Sequence, residues 1–241
     1  DHMEILGENL TKIAIEKAGI MKIDVICLSA YQNNEVTAAL QSMASLKGTP
    51  LHFLNGKKTE IAVHIPGEKQ KENTELALLV LDHLNGFNIS DLAIMKGLNS
   101  VRWHGRNQMV QDNPPVIFDV AHNVDGFRCF LDYYQSLEIT GPSILVLALY
   151  LRKQIQDIIP DLESSFQYII CTETGGHKQM PAEILGSHFS SNHSVDIIKD
   201  STKAIQKGLG RLSSKGCMAI LGTHCLGPAV NEIFKISFDS L

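Results

Sequence analysis

An α/β fold whose second half contains a mostly parallel sheet is predicted by two features of the sequence. From residue 100 onward, short apolar runs without polar alternation are separated by amphipathic segments. Strands that are apolar on both faces are typical of parallel sheets covered by helices on each side. Before residue 100, helical patterns are separated by only short strand signals, so we expect domains at residues 1–99 and 100–241.

In the second half, strand and helix patterns alternate regularly along the chain. Strands are predicted at residues 115–120, 143–149, 166–172, 195–200 and 217–223. Helices are predicted at residues 123–137, 153–162, 181–189 and 201–212. Ser201 is the expected N-cap of the last helix. In such sheets, ligands bind beyond the carboxyl ends of the strands, and Asp119 lies at such an end.

The first half has a different pattern. Helices are predicted at residues 9–22, 34–48, 68–84 and 88–98, the last with Ser90 as its cap. Short strands are predicted at residues 24–30, 51–54 and 60–67. A polar stretch around residues 97–108 follows the last helix and is interpreted as the linker. Because the first predicted helix is not preceded by a strand and a turn, we expect residues 1–99 to form the tail of a larger domain.

Composition excludes several classes of protein. A net charge of −5 gives no electrostatic reason to expect nucleic acid or an anionic membrane as partner. No apolar run reaches the length of a membrane-spanning helix. The five cysteines are scattered without a C-x-x-C pair, which argues against a zinc cluster and fits reduced thiols in a cytoplasmic protein.

The segment D-x-A-H-N joins a buried strand to a helix. The carboxylate of Asp119 can accept two ribose hydroxyls, and His122 lies where a helix N-terminus favours phosphate or carboxylate. Asp119 or Asn123 could instead only cap the helix. Arg106, in the linker, could clamp a phosphate when domains close, or be a solvated surface side chain.

A second distinctive segment lies at the start of the chain. Its amphipathic helix requires apolar residues at intervals but does not by itself account for the run E-K-A-G-I that contains Lys17. A lysine in this position is ordinarily a solvated residue on a helix face, and His2 has no evident role on its own.

Together, three segments resemble one family. These are D-H-x-x-x-L-G-x-x-L-x-x-I-A-x-E-K-A-G-I-x-K at residues 1–22, W-x-G-R-x-Q at residues 103–108, and the strand ending in D-x-A-H-N at residues 117–123. Their order and spacing resemble the folylpolyglutamate synthase/dihydrofolate synthase family of the Mur ligase superfamily. The resemblance covers the carboxyl-terminal half or so of a typical member.

The resemblance implies a fold and a reaction. The expected fold is the tail of a Mur-ligase-type central ATPase domain followed by a Rossmann-like carboxyl-terminal domain. The expected reaction joins L-glutamate to folate, to dihydropteroate or to both through an acyl phosphate, with ATP and Mg²⁺ as cofactors. The expected partners are these small molecules alone, and the full-length protein is expected to be a monomer.

Roles for individual residues are also implied by the resemblance. By this likeness Asn73 contacts the adenine side of ATP, Arg106 binds phosphate, and Asp119 holds the ribose. His122 would face the reacting end of the nucleotide.

Two more residues at the start of the chain receive roles in the same way. By the same likeness, Lys17 would be the lysine that becomes carbamylated, and His2 would be a magnesium ligand.

The sequence departs from the family pattern in several places. No G-x-x-x-x-G-K-[ST] phosphate loop occurs, so we expect the chain by itself not to catalyse ligation. Val124 stands where the family has proline, Thr223 stands where a serine lies near the glutamate, and Arg152 and Lys153 replace a K-D pair. A degenerate binding module and a peptidoglycan-precursor amino acid ligase are the alternative interpretations.

Overall fold

The computed structural model describes residues 7–54, 64–151 and 153–236 of the chain. Contacts between residues divide it into two units. One lies within Asp1–Val63 and Lys69–Ser100, and the other within His64–Glu68 and Val101–Leu241. Across the described residues, no helix is both long enough and apolar enough to cross a membrane.

The first hundred residues form four helices and two short parallel strands among the described residues. In chain order these are α1 (Leu10–Lys17), β1 (Cys27–Ser29), α2 (Asn34–Lys47), β2 (Leu51–Phe53), α3 (Glu68–Asp82) and α4 (Asp91–Ser100). The backbone amide of Ala93 donates to Ser90 Oγ over 3.3 Å, which confirms Ser90 as the cap of α4.

The second unit contains a six-stranded sheet. Its strands are β3 (Gln108–Asp112), β4 (Pro115–Asp119), β5 (Ser143–Leu147), β6 (Tyr168–Glu173), β7 (Ser194–Asp200) and β8 (Cys217–Leu221). They lie in the order β3-β4-β8-β5-β6-β7, and all neighbouring pairs are parallel except β3 and β4. The predicted mixed α/β fold with a mostly parallel sheet is confirmed.

Helices cover both faces of this sheet. The helices are α5 (Val124–Gln135), α6 (Ile159–Ser165), α7 (Ala182–Gly186), α8 (Ser201–Arg211) and α9 (Gly227–Phe234). One buried cluster joins the sheet to α5, α6 and α7 and includes Phe127, Phe130, Leu131 and Tyr134, which form the apolar face of α5. A second buried cluster joins the opposite face to α8 and α9. Strands β4, β5, β6 and β8 are therefore enclosed, as their continuous apolar runs require.

Three local predictions were wrong. The linker predicted at residues 97–108 ends in the antiparallel edge strand β3, which was not predicted because three of its five residues are polar. The N-cap of α8 is Asp200, whose carboxylate accepts from the Lys203 amide over 2.8 Å, because the helix already begins at Ser201. Residues 64–67 form no strand, and the rest of the strand predicted at 60–67 lies outside the described residues.

Candidate functional site

The candidate site lies at the carboxyl ends of two neighbouring strands whose following helices pack on opposite faces of the sheet. β4 continues into α5, which packs on one face, and β8 continues into α9, which packs on the other. The two strands are paired in parallel with Asp119 opposite Leu221. Such a switch point opens a crevice beyond the carboxyl ends of the strands, where α/β sheets bind ligands.

Asp119 is a buried acidic group of this crevice. The residue is 7% exposed, and its two carboxylate oxygens accept from the backbone amides of Asn107 and Ala121, each over 2.7 Å. Burial raises the pKa of Asp119, whereas these two amides and then the charges of Arg106 and His122 oppose the rise. The carboxylate is therefore held rigidly in the segment that follows β4 and does not cap α5.

The capping role falls instead to Asn123. Its Oδ1 accepts from the Gly126 amide over 2.8 Å, and its own backbone is extended. A Cβ at residue 126 would lie 3.0 Å from that oxygen, so any residue other than glycine would crowd the capping side chain. Of the two capping assignments left open by the sequence, the structure selects Asn123.

His122 lies immediately before this capped helix end. Its Nδ1 is 2.9 Å from the carbonyl oxygen of Val120. Because a carbonyl oxygen only accepts, this contact places the proton of a neutral ring on Nδ1 and leaves Nε2 as the acceptor nitrogen. The imidazole is thus oriented by the same β4–α5 connection that orients Asp119.

Arg106 is positioned by a tight turn that sequence reasoning took for linker. Gly105 and Asn107 on either side of it have φ values of +70° and +44°. A Cβ at residue 105 would lie only 2.6 Å from Val120 Cγ1, and the Val120 amide donates to the Gly105 carbonyl over 3.0 Å. The turn is therefore attached directly to the end of β4, and among the described residues the Arg106 side chain makes no hydrogen bond that would restrain it.

A cavity of about 380 Å³ lies beside this turn, within the second unit. It is lined by cationic, aromatic and apolar side chains, among them Arg102, Trp103, His104, Arg106 and Met109. Asn107 also lines it and has a buried Oδ1 for which the described residues supply no donor. Asn107 and the turn around it are features that sequence reasoning missed, although the G-R-N triplet contained a signal for a left-handed turn.

A second wall of the crevice is formed after β5 and β8, which are neighbours in the sheet. Thr223 is 3% exposed and its Oγ1 accepts from the Cys225 amide over 3.2 Å. The Tyr150 hydroxyl lies 2.8 Å from Cys225 Sγ, and this contact is the main cause that raises the pKa of Tyr150. Thr223 is thus packed into a polar cluster with two neighbours that the sequence did not single out.

Lys17 and Asn73 belong to the first unit. Lys17 is exposed as the last residue of α1, and the turn after it is held by Lys47 Nζ, which donates to the carbonyls of Ala18 and Gly19 over 2.9 and 3.1 Å. Asn73 is exposed on α3, where its Nδ2 donates to Gln70 Oε1 over 3.1 Å. His2 lies outside the described residues.

Comparison with known proteins gives the domain an identity. Residues 105–224 match the family model of the Mur ligase glutamate ligase domain. The Bacillus subtilis dihydrofolate synthase/folylpolyglutamate synthase is 30% identical over 190 residues, which are 68% of this chain and 44% of the relative. The enzyme of that name from Buchnera aphidicola (strain Bp) is 25% identical over 240 residues, which are 92% of this chain and 55% of the relative.

Solved structures support the same fold. A Mycobacterium tuberculosis folylpolyglutamate synthase complexed with ADP and AMPPCP superimposes with a TM-score of 0.85 at 20% identity, covering 97% of this chain and 61% of that one. Escherichia coli FolC in complex with DHPP and ADP gives 0.84 at 22% identity, with 97% and 59% covered. The chain spans about half the length of the curated relatives it matches. Residues 105–224 thus match a Mur ligase glutamate ligase domain, and over most of its length the chain is homologous to folylpolyglutamate synthase/dihydrofolate synthases.

Proposed function

We propose that this chain forms the carboxyl-terminal half or so of an ATP-dependent ligase that adds L-glutamate to folate, to dihydropteroate or to both. The observation that carries the proposal is the position of Asp119 and His122 at the switch point of the sheet, inside the segment matched as a glutamate ligase domain. Arg106 adds a cation at the same edge. By itself, the chain is expected not to catalyse ligation, because its sequence has no phosphate loop.

The reaction activates a carboxylate, which is otherwise a poor electrophile. The pteroate or folate carboxylate attacks the γ-phosphorus of ATP, so that ADP leaves and an acyl phosphate forms. The glutamate amine then attacks the acyl carbon and loses a proton, and the tetrahedral intermediate expels phosphate to leave the amide. Both steps develop negative charge on oxygen, which preorganised cations and N–H donors stabilise.

Three residues are assigned to the nucleotide. Arg106 has a guanidinium without a hydrogen bond to other described residues, and we assign it to phosphate because bidentate pairs of this kind are strong. Asp119 is assigned to the ribose, since a carboxylate oxygen that already accepts one amide keeps a further lone pair. Asn73 is assigned to the adenine side, with Gln70 restricting its side chain.

His122 and Lys17 are assigned to the reacting end. His122, oriented by the contact of its Nδ1 with the Val120 carbonyl, would direct Nε2 away from that backbone contact, toward phosphate or glutamate. For Lys17, the proposal is carbamylation, which would turn an exposed cation into an anion.

Magnesium is proposed as the partner of the ATP phosphates, with His2 as a ligand. The described residues do not assemble a site for it, since no group of three or more His, Cys, Asp or Glu among them could hold a metal ion. The remaining ligands would therefore be phosphate oxygens and groups outside the described residues.

We also propose that the protein is cytoplasmic and monomeric and has no nucleic acid or membrane partner. All five cysteines lie in described residues and are free thiols, which suits a reducing compartment. The net charge of −5 offers no attraction to polyanions.

The test is glutamate-dependent ADP release with magnesium-ATP. Dihydropteroate is supplied in one reaction and tetrahydrofolate in another, first to this chain alone and then to this chain joined to the amino-terminal part of its Bacillus subtilis relative. We expect release only from the joined protein, and the preferred acceptor then identifies the reaction. No release from either form, or release that prefers muramyl precursors, would overturn the proposal.

A further inference from the structure

A short segment that precedes most of α3 is attached to the turn that presents Arg106. This segment, residues 64–68, belongs to the second unit, although the chain on either side of it belongs to the first. We call it the strap. Asn107 Nδ2 donates to the Pro66 carbonyl oxygen over 2.8 Å, across forty-one positions of sequence. The strap and the turn also line the same cavity of about 380 Å³.

The backbone of the strap approaches the Asn107 side chain closely. Gly67 has a φ of +112°, and a Cβ at this residue would lie 2.8 Å from Asn107 Nδ2. A larger residue at position 67 would therefore be strained in its backbone and would also push the amide away from Pro66. The contact thus depends on the residues of both segments.

The turn by itself does not account for an asparagine at residue 107. A φ of +44° is tolerated by asparagine and is adopted more readily by glycine. Asn107 is 8% exposed, and its Oδ1 finds no donor among the described residues. An unsatisfied buried acceptor costs free energy, which a glycine would avoid. What the asparagine side chain adds is the contact of Nδ2 with the strap.

This contact means that the turn is held from two sides. On one side, the Val120 amide donates to the Gly105 carbonyl and the backbone amide of Asn107 donates to Asp119. On the other side, the Asn107 side chain holds the strap. Arg106 lies between these attachments, and no described residue accepts a hydrogen bond from its guanidinium. The direction of this side chain is therefore set by the backbone on either side of it.

We propose that Asn107 is a positioning residue for Arg106, and that its side chain raises the affinity of the site for the phosphates of an adenine nucleotide by holding the turn against the strap. The inference rests on the proposed function, in which Arg106 binds phosphate. A cation on a backbone that is already fixed loses less conformational freedom on binding, so more of its attraction for phosphate is retained as affinity.

The test measures ADP affinity by calorimetry in this chain joined to the amino-terminal part of its Bacillus subtilis relative. Asn107→Gly permits the same φ and keeps the backbone amide that donates to Asp119, but it removes the contact with the strap. It should weaken ADP binding by about fivefold or more. The thermal midpoint should stay within about 3 °C, because the buried Oδ1 without a donor is removed as well.

Gln111→Ala is the matched control. Gln111 Nε2 also donates to a proline carbonyl oxygen, that of Pro114, over 2.8 Å, but at the other end of β3. This variant should keep its ADP affinity within about twofold. Gly67→Ala disturbs the Asn107 contact from the strap and should weaken ADP binding as Asn107→Gly does.

A double variant distinguishes positioning of Arg106 from a general weakening of the site. If Asn107 acts through Arg106, adding Asn107→Gly to Arg106→Ala should change the ADP affinity by less than about twofold. If the Asn107 side chain only supported the structure, the two losses would multiply.

Three results would each overturn the inference: unchanged ADP affinity in Asn107→Gly, an equal loss in Gln111→Ala, or multiplied losses in the double variant. The measurement contains neither glutamate nor folate and so does not depend on ligation. A joined protein that shows the expected pattern of ADP binding but no glutamate-dependent ADP release would refute only the proposed function. Failure of the unchanged joined protein to bind ADP would overturn both.

Discussion

The backbone amide of Asn107 donates to Oδ2 of Asp119 over 2.7 Å, and this contact joins two segments that are twelve residues apart. With the Ala121 amide on Oδ1 and the Val120 amide on the Gly105 carbonyl, it attaches the turn that presents Arg106 to the carboxyl end of β4. The buried carboxylate therefore holds the cationic side of the site as well as being a candidate ligand.

Asp119→Asn should lower the free energy of unfolding by about 1–3 kcal/mol. An amide has only one oxygen, so either the Asn107 or the Ala121 amide would face an NH₂ group and stay unsatisfied while buried. Urea unfolding measures the change. Asp112→Asn, at the exposed end of β3, is the control and should stay within about 0.5 kcal/mol. Equal stability of the two variants would contradict this role of Asp119.

The pH dependence of stability should show the raised pKa of Asp119. Burial lifts this pKa above the ordinary value of 3.8, so between the two values the folded protein binds more protons than the unfolded chain. The contribution of Asp119 to stability is therefore complete below about pH 3.8 and is lost as the pH rises through the folded pKa. Carbon-13 NMR of the carboxyl group gives the pKa directly, and Asp119→Asn should abolish this part of the slope. A measured pKa below 3.8 would reverse the sign.

Arg106→Ala should separate binding from stability. Because Arg106 makes no hydrogen bond to other described residues, its removal should change the free energy of unfolding by less than about 0.5 kcal/mol. In the protein joined to its amino-terminal part, calorimetric affinity for ADP should fall by about tenfold to a hundredfold through loss of a charge-assisted hydrogen bond. Arg128→Ala, on the exposed side of α5, should change neither quantity. Unchanged ADP affinity in Arg106→Ala would remove Arg106 from the nucleotide site.

The cysteines should differ sharply in reactivity toward iodoacetamide. Burial raises the pKa of both Cys171 and Cys217 to about 12, so little thiolate forms at pH values near 8, whereas Cys129 is exposed. Mass spectrometry of the native protein should find Cys129 alkylated at least about tenfold faster than the other two. In guanidinium all three should react alike, which serves as the control. Rapid native labelling of Cys171 would show that β6 is less enclosed than the structure has it.

Local sequence was sufficient for much of the second unit. Continuous apolar runs fixed the places of β4, β5, β6 and β8, since a strand buried on both faces leaves little room for polar residues. The spacing of Phe127, Phe130, Leu131 and Tyr134 likewise fixed the buried face of α5. For Asp119 and His122 the local pattern allowed nucleotide binding but left helix capping by Asp119 or Asn123 open, and the family resemblance favoured nucleotide binding.

Other features depended on contacts distant in sequence. β3 exists because its polar residues pair with β4 at an edge of the sheet, which leaves no apolar pattern to detect. Residue type could not decide whether Asp119 or Asn123 caps α5, because both are good caps. In the structure the Asp119 carboxylate accepts from the Asn107 amide, and Asn123 accepts from the Gly126 amide and is the cap.

By itself, the sequence determined the α/β class and the chemistry of the residues that follow β4, because these depend on residue type and short-range spacing. The division into two domains near residue 100 stays a prediction. Only the tertiary structure decided that β4 and β8 are neighbours and that the helices after them, α5 and α9, pack on opposite faces of the sheet. Strand order brings together residues about a hundred positions apart, and the choice among strand orders depends on how whole layers pack rather than on any local pattern.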